Sequence, residues 1–371
     1  MDAQDPLCWI GSTLEAKYRI DGFVGEGGFG FVYRGKHLTL GNPIAVKFLK
    51  PASAASSQRR PFLKRFLAEG RLLHDLSRAT AGIVQAMDTG AAVSPSGEWT
   101  PFIVVEWVDG RTLADELLAH PRRSVFEALS LLEPVFEALS VAHEMGVAHR
   151  DLKPSNLMIC QIGTRRTVKV LDFGIAKVMG DARDASSAVT APGEPRMFSV
   201  AYGAPEQFEP ALGATGPWTD VYALALVLAE VVDGAQVYRG DGMLDCRAQA
   251  LDRERRPTLA MDRSLDAVLR RALAVDPRNR YPSAREFHAA LRSAVVRLPA
   301  IAPGPRSVTA EEPQDMIGNV REWTTSEDGS AGWLMGGGWD TPAVNLGKAY
   351  TPRPGPPSPN GGVSAGVRCV R

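Results

Sequence analysis

Gly25-Glu26-Gly27-Gly28-Phe29-Gly30-Phe31-Val32 fits the pattern G-x-G-x-x-G-x-V, and its flanks limit what the chain can fold into. Glycines at this spacing let backbone N–H groups approach phosphate oxygens closely. In a dinucleotide-binding fold the last of them opens a helix. Here Phe31-Val32-Tyr33-Arg34-Gly35 continues as alternating strand and stops at a glycine, so the loop reads as the bend of a hairpin. Seventeen residues past Gly30, Ile44-Ala45-Val46-Lys47 sets a lysine in an apolar strand. A mid-strand lysine is ordinarily surface. Behind such a loop its compact ammonium is suited to bridging two phosphates, and it needs a carboxylate to hold it. Apolar residues at 62, 63, 66, 67, 72, 73 and 76 predict a helix, and Glu69 on it is the candidate partner.

Composition excludes several classes. At 371 residues the chain exceeds what one core usually fills, and 44% hydrophobic with 23% charged residues is ordinary for a globular protein. The net charge is zero, which gives no reason to expect a nucleic-acid partner. Four scattered cysteines, none in a Cys-x-x-Cys pair, suggest a reducing compartment rather than a zinc site or disulfide scaffold. The N-terminus carries Asp2 and Asp5 and no basic, apolar leader. The longest apolar run, Val221 to Val232, is twelve residues including Glu230, too short for a membrane span. A soluble, cytoplasmic protein is expected.

His149-Arg150-Asp151-Leu152-Lys153-Pro154-Ser155-Asn156 is the sharpest signal, with Asp172-Phe173-Gly174 sixteen residues after Asn156 and Ala204-Pro205-Glu206 beyond. Together with the glycine loop and Lys47, these motifs resemble the eukaryotic-like (Hanks-type) Ser/Thr protein kinases of bacteria. The resemblance runs from Tyr18 to about Leu298 and implies a two-lobed α+β protein kinase fold, with a β-rich N-lobe and a helical C-lobe. It implies ATP and Mg²⁺ as cofactors and Ser/Thr hydroxyls of proteins as acceptors. Phosphoryl transfer is mainly positioning and charge neutralisation. By the resemblance Asp151 orients the hydroxyl and accepts its proton, Lys153 neutralises the γ-phosphate, and Lys47 is held by Glu69. Asn156 and Asp172 would offer hard oxygens to the metal. The alternative is a pseudokinase or binding protein that keeps only the fold.

Pro101 to Gly110 resembles the strand and hinge that hold adenine. By that match the backbones of Glu106 and Val108 bond the base, Val105 is a small gatekeeper, and Val32, Ala45 and Leu157 pack on its faces. Arg150, directly before Asp151, marks kinases whose activation segment orders when a phosphate meets that arginine. Thr190 is the candidate phosphosite in the segment Asp172 to Glu206, and Ser199 sits where the family has a Thr that contacts the catalytic loop. Phe198-Ser199 replaces the usual Gly-Thr, a departure that bears on peptide docking. Asp220 would hold the catalytic loop, and Arg280 would pair with Glu206.

The chain divides into an extension (1–17), the kinase region (18–298), a Pro-rich linker (299–312) and a C-terminal module (313–371). Residues 301–371 hold 12 Gly, 9 Pro and three of the seven tryptophans, which suggests a small loop-rich folded unit. Asp315 to Trp323, Met335-Gly336-Gly337-Gly338-Trp339 and Gly366-Val367-Arg368-Cys369 resemble the end of the formylglycine-generating enzyme (sulfatase-modifying factor) family, a C-type-lectin-like fold. The cysteine pair of that family is missing, because 340–350 contains no cysteine, so copper-dependent oxidation is not expected. What remains is a scaffold for a ligand or protein partner, similar to variable domains of diversity-generating retroelement systems, or else a degenerate remnant or a cap on the C-lobe.

Overall fold

The computed structural model describes residues 5–27, 30–49, 59–173, 199–240, 242–252 and 263–296, and the backbone of 322–325 and 332–335. The chain separates into two compact units, Met1–Leu298 and Pro299–Arg371.

The first unit opens with an antiparallel sheet in the order β1-β2-β3-β4-β6-β5. Its strands are β1 (Thr13–Leu14), β2 (Tyr18–Gly27), β3 (Gly30–His37), β4 (Pro43–Leu49), β5 (Ala86–Val93) and β6 (Trp99–Glu106). Alternation along them sorts side chains onto two faces. Ile44, Val46 and Phe48 of β4 meet Tyr33, Phe102 and Val104 in one core. Residues ahead of β2 complete that core. Leu7, Trp9 and Leu14 are buried in it, and the Trp9 ring stacks on Phe48 with centroids 5.1 Å apart. Tyr33 Oη donates to Asp5 Oδ1 at 2.6 Å and accepts the Leu7 N–H at 3.2 Å.

The opposite face carries Val32, Ala45, Lys47, Ile103 and Val105, brought side by side by the pairings Val32↔Lys47, Lys47↔Ile103 and Ala45↔Val105. Helix α1 (Arg59–Ala79) packs against β5. The approach is close, because a Cβ on Gly70 would lie 2.6 Å from Thr89 Cγ2.

A second sheet, β7 (Gly110–Thr112), β8 (Leu157–Ile162) and β9 (Arg165–Val170), follows in the order β7-β8-β9. Helices α2 (Leu113–Ala119) and α3 (Val125–Glu144) each start on a capping box, Thr112 with Asp115 and Ser124 with Glu127. The short α4 (Pro205–Phe208) precedes α5 (Pro217–Asp233), whose residues Thr219 to Ala229 are all buried. Helices α6 (Met243–Leu251), α7 (Arg263–Ala272) and α8 (Ala284–Val296) complete the helical lobe. Beta strands in one lobe and helices in the other give the two-lobed arrangement expected from the sequence. In the second unit, β10 (Glu322–Thr325) and β11 (Gly332–Met335) pair antiparallel, with Trp323 opposite Leu334.

Candidate active site

The site is assembled where the loop before β8 meets the start of the segment after β9. Asp220, near the N-terminus of α5, organises that loop from beneath. Its Oδ2 accepts the His149 N–H and its Oδ1 the Arg150 N–H, both at 2.7 Å. His143 Nδ1 accepts the Ala284 N–H at 3.1 Å, so its Nε2 carries the proton and donates to Asp220 Oδ2 at 2.9 Å. Burial alone would raise the Asp220 carboxyl, but these donors hold it below the ordinary carboxylate range. The bonds fix Arg150 at φ 66°, a left-handed conformation that a non-glycine residue adopts only when held.

From that turn Asp151 projects into the cleft, 6% exposed. Its Oδ1 accepts the Ser199 N–H at 2.7 Å and its Oδ2 the Lys153 ammonium at 3.0 Å. Lys153 Nζ also donates to Ser199 Oγ at 2.6 Å. Asn156 Nδ2 donates to the Asp151 carbonyl at 2.8 Å, which leaves Oδ1 of the amide outside that bond. Asp151, Lys153, Asn156 and Ser199 therefore form one connected group.

Asp172 begins the next segment at φ 58°. Its carboxylate meets Lys47 Nζ at 2.7 Å, with side chains 36% and 9% exposed. Burial pushes the Asp172 carboxyl up, but the Lys47 ammonium overrides it and holds the group low, with Lys153 adding to the effect. Next to it Phe173 is buried, its ring edge-on to His149 at 4.8 Å. His149 Nδ1 accepts the Asp151 N–H at 3.2 Å, and its Nε2 donates to the Leu171 carbonyl at 2.8 Å. Glu69 stands half-buried on α1.

On the cleft face, Val32, Ala45 and Val105 are half-buried and Leu157 is fully buried. Glu106 ends β6, and Val108 lies in the link between β6 and β7. Gly25, Glu26 and Gly27 pair with Val32, Phe31 and Gly30, so the glycine loop bends a hairpin rather than opening a helix. A Cβ on Gly30 would come within 1.9 Å of the Phe48 carbonyl oxygen, a requirement of strand approach that only glycine meets. Gly28, Phe29, Thr190 and Phe198 lie outside the described residues.

A protein kinase domain model matches residues 18–291. The chain belongs to the protein kinase family.

Two relatives place this kinase domain among bacterial sequences. It is 34% identical over 286 residues to the serine/threonine-protein kinase PknB of Mycobacterium tuberculosis, which covers 76% of this chain and 43% of PknB. To the serine/threonine-protein kinase PknA of the same species it is 34% identical over 281 residues, 75% of this chain and 61% of PknA. The chain thus matches less than two thirds of either relative's length. The crystal structure of the Mycobacterium tuberculosis PknI kinase domain superposes with a TM-score of 0.55 at 27% identity, covering 77% of this chain and 98% of that one.

The scaffold pair is complete. Arg280 and Glu206 are joined by two bonds, and Thr219 Oγ1 adds a third to Glu206 at 2.7 Å. The sequence reading did not single out two residues that the kinase domain places at the site: His143 beneath Asp220, and Lys169, which pairs with Glu106. Neither stands in a motif. A histidine late in a helix and a lysine in a strand each read as surface until the fold brings their partners to them.

Proposed function

We propose that this chain is a Ser/Thr protein kinase that moves the γ-phosphate of ATP to Ser or Thr hydroxyls of proteins. The observation that carries the reading is the connected group Asp151–Lys153–Ser199–Asn156 facing the Lys47–Asp172 pair. The first group suits a proton acceptor beside a cation, the second a cation beside a carboxylate. Phosphoryl transfer needs both.

In this reading the Asp151 carboxylate orients the acceptor hydroxyl. Each of its oxygens has two lone-pair directions, so the bonds to Ser199 and Lys153 leave acceptor capacity. The hydroxyl oxygen forms a bond to the γ-phosphorus as the bond to the β-bridging oxygen breaks, ADP leaves, and the hydroxyl proton passes to Asp151. Lys153 neutralises charge on the γ-phosphoryl oxygens, and Lys47 steadies the phosphates behind it, with Glu69 assigned to hold its ammonium. The backbones of Glu106 and Val108 receive adenine between Val32, Ala45, Val105 and Leu157, while the backbone of 25–30 approaches the phosphates.

The donors present suit Mg²⁺, a hard cation that takes few protein oxygens when phosphates supply the rest. Asp172 offers a partly exposed carboxylate, and Asn156 offers Oδ1 because its NH₂ is committed to the Asp151 carbonyl. When bound, the metal supplies charge neutralisation on the phosphates.

Arg150 is assigned to regulation. Its Nε is buried without a hydrogen-bond partner among the described residues, an arrangement that suits an incoming phosphate. Thr190 is the assigned source of that phosphate. Residues 313–371 are assigned a non-catalytic recognition role of C-type-lectin-like type, on motif resemblance alone. A reducing, cytoplasmic setting accords with Cys8, Cys160 and Cys246 standing outside any disulfide among the described residues. No helix among the described residues is long and apolar enough to cross a membrane.

Incubation with Mg²⁺ and labelled ATP tests the reading, with phosphate located by mass spectrometry. Label on Thr190 or a neighbouring Ser that disappears in Asp151→Asn and Lys47→Met supports it. Nucleotide binding without any transfer to the chain itself or to a general protein acceptor would favour a pseudokinase.

A further inference from the structure

One oxygen of the Glu106 side chain gathers two donors. Glu106 Oε1 accepts the Gln85 backbone N–H at 2.8 Å and pairs with the ammonium of Lys169. The Glu106 N–H returns to the Gln85 carbonyl at 3.0 Å, so backbone and side chain close a ring on one residue. The Glu106 and Lys169 side chains are 28% and 12% exposed, which shields the pair from solvent and strengthens it over a surface ion pair.

Lys169 lies on β9, three residues before Asp172. Its neighbour Val170 gives its N–H to the Gly82 carbonyl at 2.8 Å and accepts the Val84 N–H at 3.0 Å. The strand that leads into Asp172 is therefore tied to the hinge end of β6 twice: through the backbone of 82–85 and through the Lys169–Glu106 charge pair. In the ATP-site reading a nucleotide spans these two strands, with its base on the hinge backbone at 106–108 and its phosphates toward Asp172 and Lys47. Both ends engage together only if the hinge is held at the right distance from Asp172, and a displacement of about 1 Å is costly to such an arrangement.

We infer that Lys169 is a positioning residue for the nucleotide, acting through Glu106 to fix the hinge backbone against the strand that carries Asp172. The inference rests on the reading of this cleft as the ATP site. It assigns a role to a side chain that does not itself touch the nucleotide, so its loss acts first on binding. Chemistry at Asp151 is disturbed less.

The full chain is titrated with a fluorescent ATP analogue, and KM for ATP and kcat are measured alongside. Lys169→Met should weaken analogue binding about five- to twentyfold and raise KM in step, with a smaller fall in kcat, as expected for a coupled pair of sites. Lys169→Arg keeps the cation and should stay within about twofold of wild type. Glu106→Gln keeps the bond to Gln85 and removes only the charge, so it should weaken binding as Lys169→Met does. The double variant should bind no worse than either single variant, because both remove the same interaction. Should Lys169→Met fold poorly, Glu106→Gln carries the test. Unchanged affinity in either single variant, failure of Lys169→Arg to restore it, or additive losses in the double variant would overturn the inference. Wild-type chain that binds no nucleotide would overturn the ATP-site reading and the inference together. Wild-type chain that binds the analogue without phosphate transfer would remove the kinase reading alone, and the affinity series would still decide the role of Lys169.

Discussion

Arg280 grips Glu206 with two parallel bonds, Nη1 to Oε1 at 2.9 Å and Nη2 to Oε2 at 2.7 Å, and neither side chain reaches solvent. The remaining guanidinium hydrogens are also used. Nε donates to the Ala274 carbonyl at 2.7 Å and Nη2 to the Val275 carbonyl at 3.1 Å, while the group lies 4.6 Å from the centre of the Tyr222 ring. The pair ties α4, which carries the Ala-Pro-Glu motif, to the turn before α8, more than seventy residues later in the chain.

Removing one partner strands the other charge in a dry site, which costs about 3–5 kcal/mol. Arg280→Ala should therefore lower the melting temperature of the kinase domain by roughly 10 °C. Glu206→Ala should do the same, and the double replacement by apolar residues should recover part of the loss. A melting temperature within two degrees of wild type in both single variants would show that the pair contributes nothing net.

This pair was legible because both residues stand in motifs, and so were Asp151, Lys153, Asn156 and Asp172. Other contacts were not. Asp220 could be named from its place ahead of an apolar helix, yet nothing in the order of residues shows His143 reaching it from 77 positions away. Residues 5–12 carry no motif, and the burial of Leu7 and Trp9 follows from their finding a core face of the sheet built mostly from strands later in the chain. Local pattern fixes strands and helices, but partners across a fold depend on packing that no short window contains.

Gly30 tests that packing at the mouth of the cleft. A side chain there would drive β3 away from β4, since even a Cβ falls 1.9 Å from the Phe48 carbonyl oxygen. Gly30→Ala should cost about 1–3 kcal/mol through overpacking. It should also weaken nucleotide binding, because the strand it displaces carries Val32 on the cleft face. Melting and nucleotide titration of the same preparation check both effects. Normal affinity at lowered stability would confine the role of Gly30 to strand packing.

Trp9 makes the residues before the first long strand part of the fold. It is 5% exposed and stacks on Phe48, the neighbour of Lys47 in β4. Trp9→Ala should cost about 3–5 kcal/mol, as for other buried aromatics reduced to alanine. Ile10, 45% exposed, provides the control, and its replacement by alanine should change stability little. Thermal unfolding of the two variants side by side distinguishes a packed segment from a loose one. Equal melting temperatures would mean that the stack adds nothing.

Asp220 predicts a pH dependence whose sign follows from its partners. Its carboxyl is held below the ordinary value of 3.8, so the folded state takes up the proton less readily than the unfolded chain does. The stabilisation is fully present above about pH 4 and is lost as pH falls through the folded value. Asp220→Asn removes that contribution and also weakens the hold on the His149 and Arg150 N–H groups. The variant should melt lower than wild type at pH 7, and the gap should narrow as pH falls below about 4. Because Arg150 is kept at φ 66° by these bonds, the turn that aims Asp151 should relax at the same time, so phosphate transfer should fall more steeply than folded fraction does. Melting curves between pH 7 and pH 3 that run parallel for the two proteins would remove Asp220 as the titrating group. Transfer that falls only in step with folded fraction would leave it a scaffold residue with no hand in aiming the catalytic loop.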